Sequence, residues 1–168
     1  MAESLANWFI QALGGMPPEV IVFIISMVPI LELRGGLIAA ALLGIPIVPA
    51  IAICLIGNMI PIPFILFFIT PIFKWLKRTK LLRPLVEKLE KKAMSKSDQI
   101  QKYEFIGLML FVGIPLPGTG AWTGALIASL LDIRPKKAFL AICIGLLIAT
   151  TIMCVISYLI PYLVQHVF

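Results

Sequence analysis

The sequence predicts an all-α integral membrane protein built as an inverted repeat. Each half is expected to be a re-entrant helical hairpin followed by a transmembrane helix, with a basic amphipathic cytoplasmic helix joining the halves. Three observations lead there. First, 61% of the 168 residues are apolar and the mean hydropathy is +1.07, whereas a soluble domain of this length needs far more polar surface to cover its core. Second, the net charge of +6 is unevenly placed: ten of the 14 Lys and Arg residues lie between Lys74 and Lys102, which assigns that segment to the cytoplasmic side. Third, residues from Phe23 to Gly57 align without gaps on Phe111 to Gly145 at an offset of 88, with identical pairs that include Pro29/Pro117, Gly36/Gly124, Ala40/Ala128, Ile45/Ile133 and Gly57/Gly145.

The length suits one membrane domain, 1–168: a first repeat with an N-terminal interfacial helix (1–73), a basic connector (74–104) and a second repeat (105–168). Leu5, Trp8, Phe9 and Leu13 form a short helical stripe suited to the bilayer interface, and no cleavable signal peptide is expected, because no Lys or Arg precedes the first apolar residues. Four apolar blocks follow, at about Val20–Leu43, Ile45–Phe73, Phe105–Leu131 and Ala138–Val164. Two architectures compete. If every block crosses, Arg134, Lys136 and Lys137 face the side opposite the connector, against the positive-inside tendency. If the first block of each half dips in and returns, those three residues rejoin the connector's side, and charge favours this arrangement. An arm of about 11 residues rises about 16 Å, enough to reach the middle of a hydrocarbon core about 30 Å thick.

A re-entrant hairpin needs a break at its tip, and both first blocks carry one. In the third block the string GIPLPGTGAWTGALIAS places Pro115, Pro117, Gly118 and Gly120 at the tip, with Gly124 opening the returning arm. In the first block, VPILELRGGLIAA places Pro29, Gly35 and Gly36 around the corresponding break. Irregular backbone at membrane depth survives only where protein or a wet cavity satisfies its N–H and C=O groups, so the tips are expected to face something polar. Two tips entering from opposite faces and meeting at the midplane would form the site.

Glu32 and Arg34 are the only charged residues in their block. Ionisable groups at that depth are costly and are functional candidates by default. One reading is a structural ion pair that fixes the tip. The other has Glu32 take up and release a proton while Arg34 holds an anionic group of the substrate. In the second tip Thr119, Gly120, Trp122 and Thr123 are the candidate contacts, aided by free N–H groups at the following helix start; simple hairpin packing is the alternative. Asn58, between Gly57 and the prolines 61 and 63, either bonds a carbonyl exposed at a kink or lines the pathway. Asp132, Arg134, Lys136 and Lys137 read as a solvated cluster at the cytoplasmic mouth.

In the connector, Leu82, Leu85, Val86, Leu89 and Ala93 recur at helical spacing among lysines, a pattern suited to an anionic inner leaflet. Cys54, Cys143 and Cys154 lie in apolar stretches and read as buried thiols; no metal and no cofactor is expected. HExxH, GxSxG and Walker A strings are absent, so enzymatic function is not expected, and the basic segment carries no nucleic-acid motif.

At PILELRGGLIAA and PLPGTGAWTGA, the chain resembles the prokaryotic family called "putative small multidrug export protein", with a remoter similarity to DedA/VTT-domain membrane proteins. The resemblance implies opposed re-entrant hairpins and an inner-membrane exporter. Its DedA-like side implies proton-coupled movement of a lipid phosphate, with Glu32 and Arg34 as the acidic and basic pair; Gly120 and Trp122 replace that pair in the second tip. The expectation is therefore a small multi-pass, proton-coupled secondary transporter of a prokaryotic inner membrane, moving either an amphipathic small molecule or a lipid phosphate, with a homodimer compatible with so thin a bundle. A non-transporting membrane factor, such as a lipid-binding scaffold or assembly partner, is the alternative.

Overall fold

A computed structural model describes residues 2–79, 82–95, 98–116 and 118–167, and among these it is helical, without strands. The helices are α1 (Ala2–Ala12), α2 (Pro18–Met27), α3 (Glu32–Leu42), α4 (Ile47–Met59), α5 (Pro61–Leu76), α6 (Arg83–Met94), α7 (Asp98–Gly113), α8 (Ala121–Leu130) and α9 (Pro135–Cys154). A π-helical turn (Val155–Leu159) leads into α10 (Ile160–Val167). Two stretches, Ile47–Leu76 and Pro135–Tyr162, are long and apolar enough to cross a membrane, whereas Pro18–Met27, Glu104–Gly113 and Ala121–Leu130 are apolar but short. The first and third apolar blocks are thus interrupted, as their prolines and glycines predict, and neither is a straight rod.

Contacts divide the chain into two compact units that cut across the repeat boundaries read from sequence. One comprises Met1–Ile60 with Leu146–Phe168, and the other Pro61–Gly145. The long apolar stretches are therefore shared: α4 belongs to the first unit and α5 to the second, while α9 begins in the second and ends in the first.

In the first unit, α2, α3 and α4 pack on one another, and α1 and the π-helical turn pack on α3. Close approach requires missing side chains. A Cβ on Gly36 would lie 2.1 Å from Ser26 Oγ and 2.8 Å from Cys54 Sγ, and one on Gly57 would lie 2.9 Å from the Phe23 carbonyl oxygen and 3.0 Å from Ser26 Cβ. Three helices consequently converge on Ser26, whose hydroxyl donates to the Val22 carbonyl at 2.8 Å.

In the second unit α8 is the central element, packed on α5, α6 and α7. Buried Ser129 donates to the Ile65 and Leu66 carbonyls of α5 at 3.3 and 3.2 Å, and Thr70 returns a bond to the Ser129 carbonyl at 3.4 Å. A Cβ on Gly124 would lie 2.8 Å from Val112 Cγ2, and one on Gly145 would lie 2.6 Å from the Met109 carbonyl oxygen and 2.8 Å from Val112 Cβ. Within α7, Glu104 leaves helical geometry (φ 32, ψ −86), so the connector segment and the hairpin arm are two helices meeting at that residue.

The two units reuse the same contacts. Gly36 and Gly57 both touch Ser26, and Gly124 and Gly145 both touch Val112. The glycines are 88 residues apart, whereas Ser26 and Val112 are 86 apart. The first arms, Pro18–Met27 and Glu104–Gly113, also stand 86 apart, and α4 and α9 begin 88 apart. Counted between the matching glycine contacts, the second hairpin is therefore two residues longer, and Phe23 and Phe111, paired by the gapless alignment, do not occupy matching places on the arms. Helix ends recur as well. Past α3, Gly44 (φ 70) and Ile45 return N–H bonds to Ala41 and Ala40; past α8, Asp132 (φ 54) and Ile133 return them to Ser129 and Ala128. This left-handed closure of a helix normally takes glycine, and Asp132 holds it in the second unit at some strain.

The connector departs from a simple surface helix. Of its apolar stripe, Val86 and Ala93 are buried and α6 packs on α8, while Leu85 and Leu89 stay exposed. Lys77 pairs with Glu90, and Arg83 with Glu87. All three cysteines are free thiols; Cys54 is fully buried as its apolar surroundings predict, whereas Cys143 and Cys154, read as buried, are only half-buried.

Candidate functional site

The first tip is the four-residue link Val28–Leu31 between α2 and α3, closed by N–H bonds from Leu31 and Glu32 to the Val28 carbonyl. Pro29 is exposed at it, while Gly35 and Gly36 are buried one turn into α3. Glu32 and Arg34 therefore sit in the first turn of a helix and not in the unwound link. Glu32 nevertheless escapes the helical lattice, because its φ of 50 lies in the left-handed region. That conformation costs a non-glycine residue about 1–3 kcal/mol and is retained where the surroundings enforce it. The residue is 6% exposed. Arg34 is half-buried and lies within coulombic range of Glu32. The helix start also favours a negative charge at Glu32 through its dipole.

Asn58, in the last turn of α4, is completely buried, and neither its amide nitrogen nor its amide oxygen has a hydrogen-bond partner among the described residues. Pro61 and Pro63 deprive the Gly57 and Met59 carbonyls of their usual donors, yet Asn58 does not bond to either. The expectation that it caps a carbonyl at the kink is not met. Sequence reasoning also passed over Ser26, which lies against both helix-contact glycines; a lone serine in an apolar run was its only signal.

In the second unit the tip runs from Ile114 to Gly120. Pro117 lies outside the described residues. Thr119 is committed to the loop itself: its hydroxyl lies 2.9 Å from the Ile114 carbonyl and 2.8 Å from the Leu116 carbonyl and accepts the Leu116 N–H at 3.2 Å. Gly118 (φ 74) and Gly120 (φ 150) hold backbone that other residues rarely adopt, Pro115 is half-buried, and Trp122 and Thr123 are half-buried in the first turn of α8, with Gly124 buried behind them. Gly120 immediately precedes α8 as Glu32 begins α3, so a positive φ recurs at both places, once on glycine and once on a carboxylate.

A cleft of about 340 Å³ in the same unit is lined by Glu104, Leu131, Asp132, Ile133, Arg134 and Lys137. Lys137 donates to the Glu104 carboxylate at 2.5 Å. The solvated cluster read from sequence thus gains Glu104, which the sequence shows as an acid just before the third apolar block. Two acids and two bases leave this cleft balanced in charge, which gives it no preference for an ion of either sign.

Residues 32–152 match the family described as "putative small multi-drug export protein". The chain belongs to that family. The match begins at Glu32 and takes in α3 to α8 and all but the last two residues of α9, so both tips and Asn58 fall near or within it. No curated protein and no solved structure gives a significant match. Family membership together with the two long apolar stretches supports a membrane location and, at a coarse level, a transporter.

Proposed function

We propose that this export-family protein is a proton-coupled secondary transporter with no catalytic chemistry, which moves an amphipathic small molecule through the inner membrane of a prokaryote. The observation that carries the reading is Glu32: a buried carboxylate, in strained left-handed backbone, at the head of a hairpin arm. A purely structural role in left-handed backbone would be met at less strain by glycine. Keeping an acid in that conformation points to use of its charge. Protonation of Glu32 frees the Arg34 charge to hold an anionic group; ionised Glu32 neutralises it. That alternation favours neutral or weakly anionic substrates over cationic drugs, and the lipid phosphates raised by the DedA resemblance share the same anionic chemistry.

The hairpins α2–α3 and Glu104–α8 are read as re-entrant, and the halves as an inverted repeat. Arms of ten and eleven residues are too short to span the bilayer, and the recurring glycine contacts support a repeat. The exposed Leu85 and Leu89 beside the connector lysines suit an anionic inner leaflet.

Purified protein in liposomes should drive accumulation of a weakly anionic amphipathic dye when a pH gradient is imposed, and lose it when an ionophore collapses the gradient. No gradient-dependent flux would reject the transporter reading in favour of a lipid-binding scaffold. Topology is tested separately by a cysteine at Lys136 in a background free of native cysteines. Labelling in cells by a membrane-impermeant reagent is expected only after the membrane is opened; labelling of intact spheroplasts would establish four plain crossings.

A further inference from the structure

The unpartnered amide of Asn58 has a definite position relative to Glu32. Helices α3 and α4 are joined by the short link Leu43–Pro46 and pack on each other, so they run antiparallel. Gly36 faces Cys54 across that contact. Counting about one turn from this pair toward the tip brings α3 to the level of Glu32 and α4 to that of Asn58. On α2, Ser26 fills the layer below, against both Gly36 and Gly57. The chain therefore places a buried carboxylate and a buried primary amide at one level, above a seal made by Ser26, Gly36 and Cys54. The two do not bond to each other, because neither amide atom of Asn58 has a partner.

We propose that Asn58 and Glu32 are two walls of one hydrated proton-binding site inside the N-terminal unit, with water between them that accepts from the amide N–H and donates to the amide oxygen. A buried polar group left without a partner is rare, and internal water bridging two to four polar groups is the usual resolution. Asn58 offers two donors and an acceptor and so can serve a water bound to either protonation state of Glu32. The inference rests on the proton-coupling role given to Glu32 above and extends it to a second residue. Other ionisable groups on the packed elements are accounted for. Arg34 is two residues along α3. On α4 and the π-helical turn the groups are Cys54 in the seal and Tyr158, which donates to the Ile45 carbonyl at the opposite end of α3. Glu19 opens α2 at its far end.

Two measurements test this on the full chain in liposomes. In a background lacking native cysteines, Asn58→Cys is expected to react with a small cationic methanethiosulfonate, and Glu32→Gln in the same protein to slow that reaction severalfold by removing a negative charge beside it. A thiol that stays unreactive means a dry site and overturns the proposal, whatever the transport assay shows. Asn58→Leu keeps the branched four-heavy-atom shape, with bulkier ends, and removes both unpartnered atoms. It is expected to leave the thermal midpoint unchanged or raised while lowering gradient-driven dye flux at least tenfold, with Asn58→Gln or Asn58→Ser recovering part of the flux. A fall in the midpoint with flux per folded molecule retained assigns Asn58 a packing role and overturns the proposal. If the wild-type protein shows no flux, the transporter reading fails, and the labelling result still decides whether the site is wet.

Discussion

Gly145→Ala is expected to cost about 3 kcal/mol or more and to leave little folded protein. The new Cβ would lie 2.6 Å from the Met109 carbonyl oxygen and 2.8 Å from Val112 Cβ. The first of these is backbone in the hairpin arm, so no rotamer change relieves it, and overpacking of a tight contact ordinarily costs about 1–3 kcal/mol even where side chains can adjust. Gly36→Ala should be milder. Its obstacles are Ser26 Oγ and Cys54 Sγ, both side-chain atoms, and Ser26→Ala in the same chain should recover part of the loss. Gly15→Ala, with nothing within 4 Å of the added Cβ, is the control and should be silent. Thermal midpoints and monodisperse yield in detergent would rank the three. Equal effects of Gly145→Ala and Gly15→Ala would mean that the arm is not held against α9 as described.

These contacts also show which parts of the molecule could be read in advance. Composition and the positions of Pro and Gly located both breaks, because a broken apolar block is a one-dimensional signal. Glu32 stood out for a similar reason, as a charge where none is expected. The length of the second tip did not stand out. A gapless alignment at 88 satisfies the returning arm, the helix-end turn and the following helix, and only the facing of Ser26 and Val112 toward equivalent glycines reveals that the first arm is shifted by two. Pairings across a hairpin are set by packing, and apolar residues in a membrane arm are too alike for sequence to fix them. The connector was misjudged in part for the opposite reason. Its stripe was visible, but a stripe does not say whether protein or lipid covers it, and Val86 and Ala93 turned out to face protein while Leu85 and Leu89 did not. The division into units that share the long apolar stretches was invisible altogether, since no composition shift accompanies the step from Ile60 to Pro61.

The backbone at Glu32 connects stability to function. Left-handed geometry at the head of α3 could be supplied at no strain by glycine, and in the other hairpin the positive-φ residue before α8 is Gly120, in a different conformation (φ 150). The shorter first link places a carboxylate, Glu32, in left-handed backbone (φ 50). Asp132, the counterpart of Gly44, carries a comparable positive φ, but it is exposed to solvent and lines a cleft with Arg134 and Lys137. Burial separates the two cases. An exposed strained acid is paid for by a surface ion environment, whereas a buried one requires a partner and a reason.

Glu32→Gln is therefore expected to abolish gradient-driven dye accumulation, by about a hundredfold or to background, while the protein still exchanges dye across the bilayer in the absence of a gradient. Glutamine copies the protonated carboxyl in size and in hydrogen bonding but cannot release a proton, so substrate handling survives and coupling does not. The partner residue separates this from a merely structural pair. Removing one member of a buried ion pair leaves the other uncompensated, at a typical cost of about 3–5 kcal/mol. Arg34→Gln alone should accordingly lower the thermal midpoint by several degrees, and adding Glu32→Gln should restore most of it, because two neutral amides no longer leave a charge stranded. If coupling is the role of Glu32, the doubly substituted protein is folded and still uncoupled. Recovery of gradient-driven accumulation along with the fold would show that the pair only braces the tip, and the proton would have to be carried elsewhere in the chain.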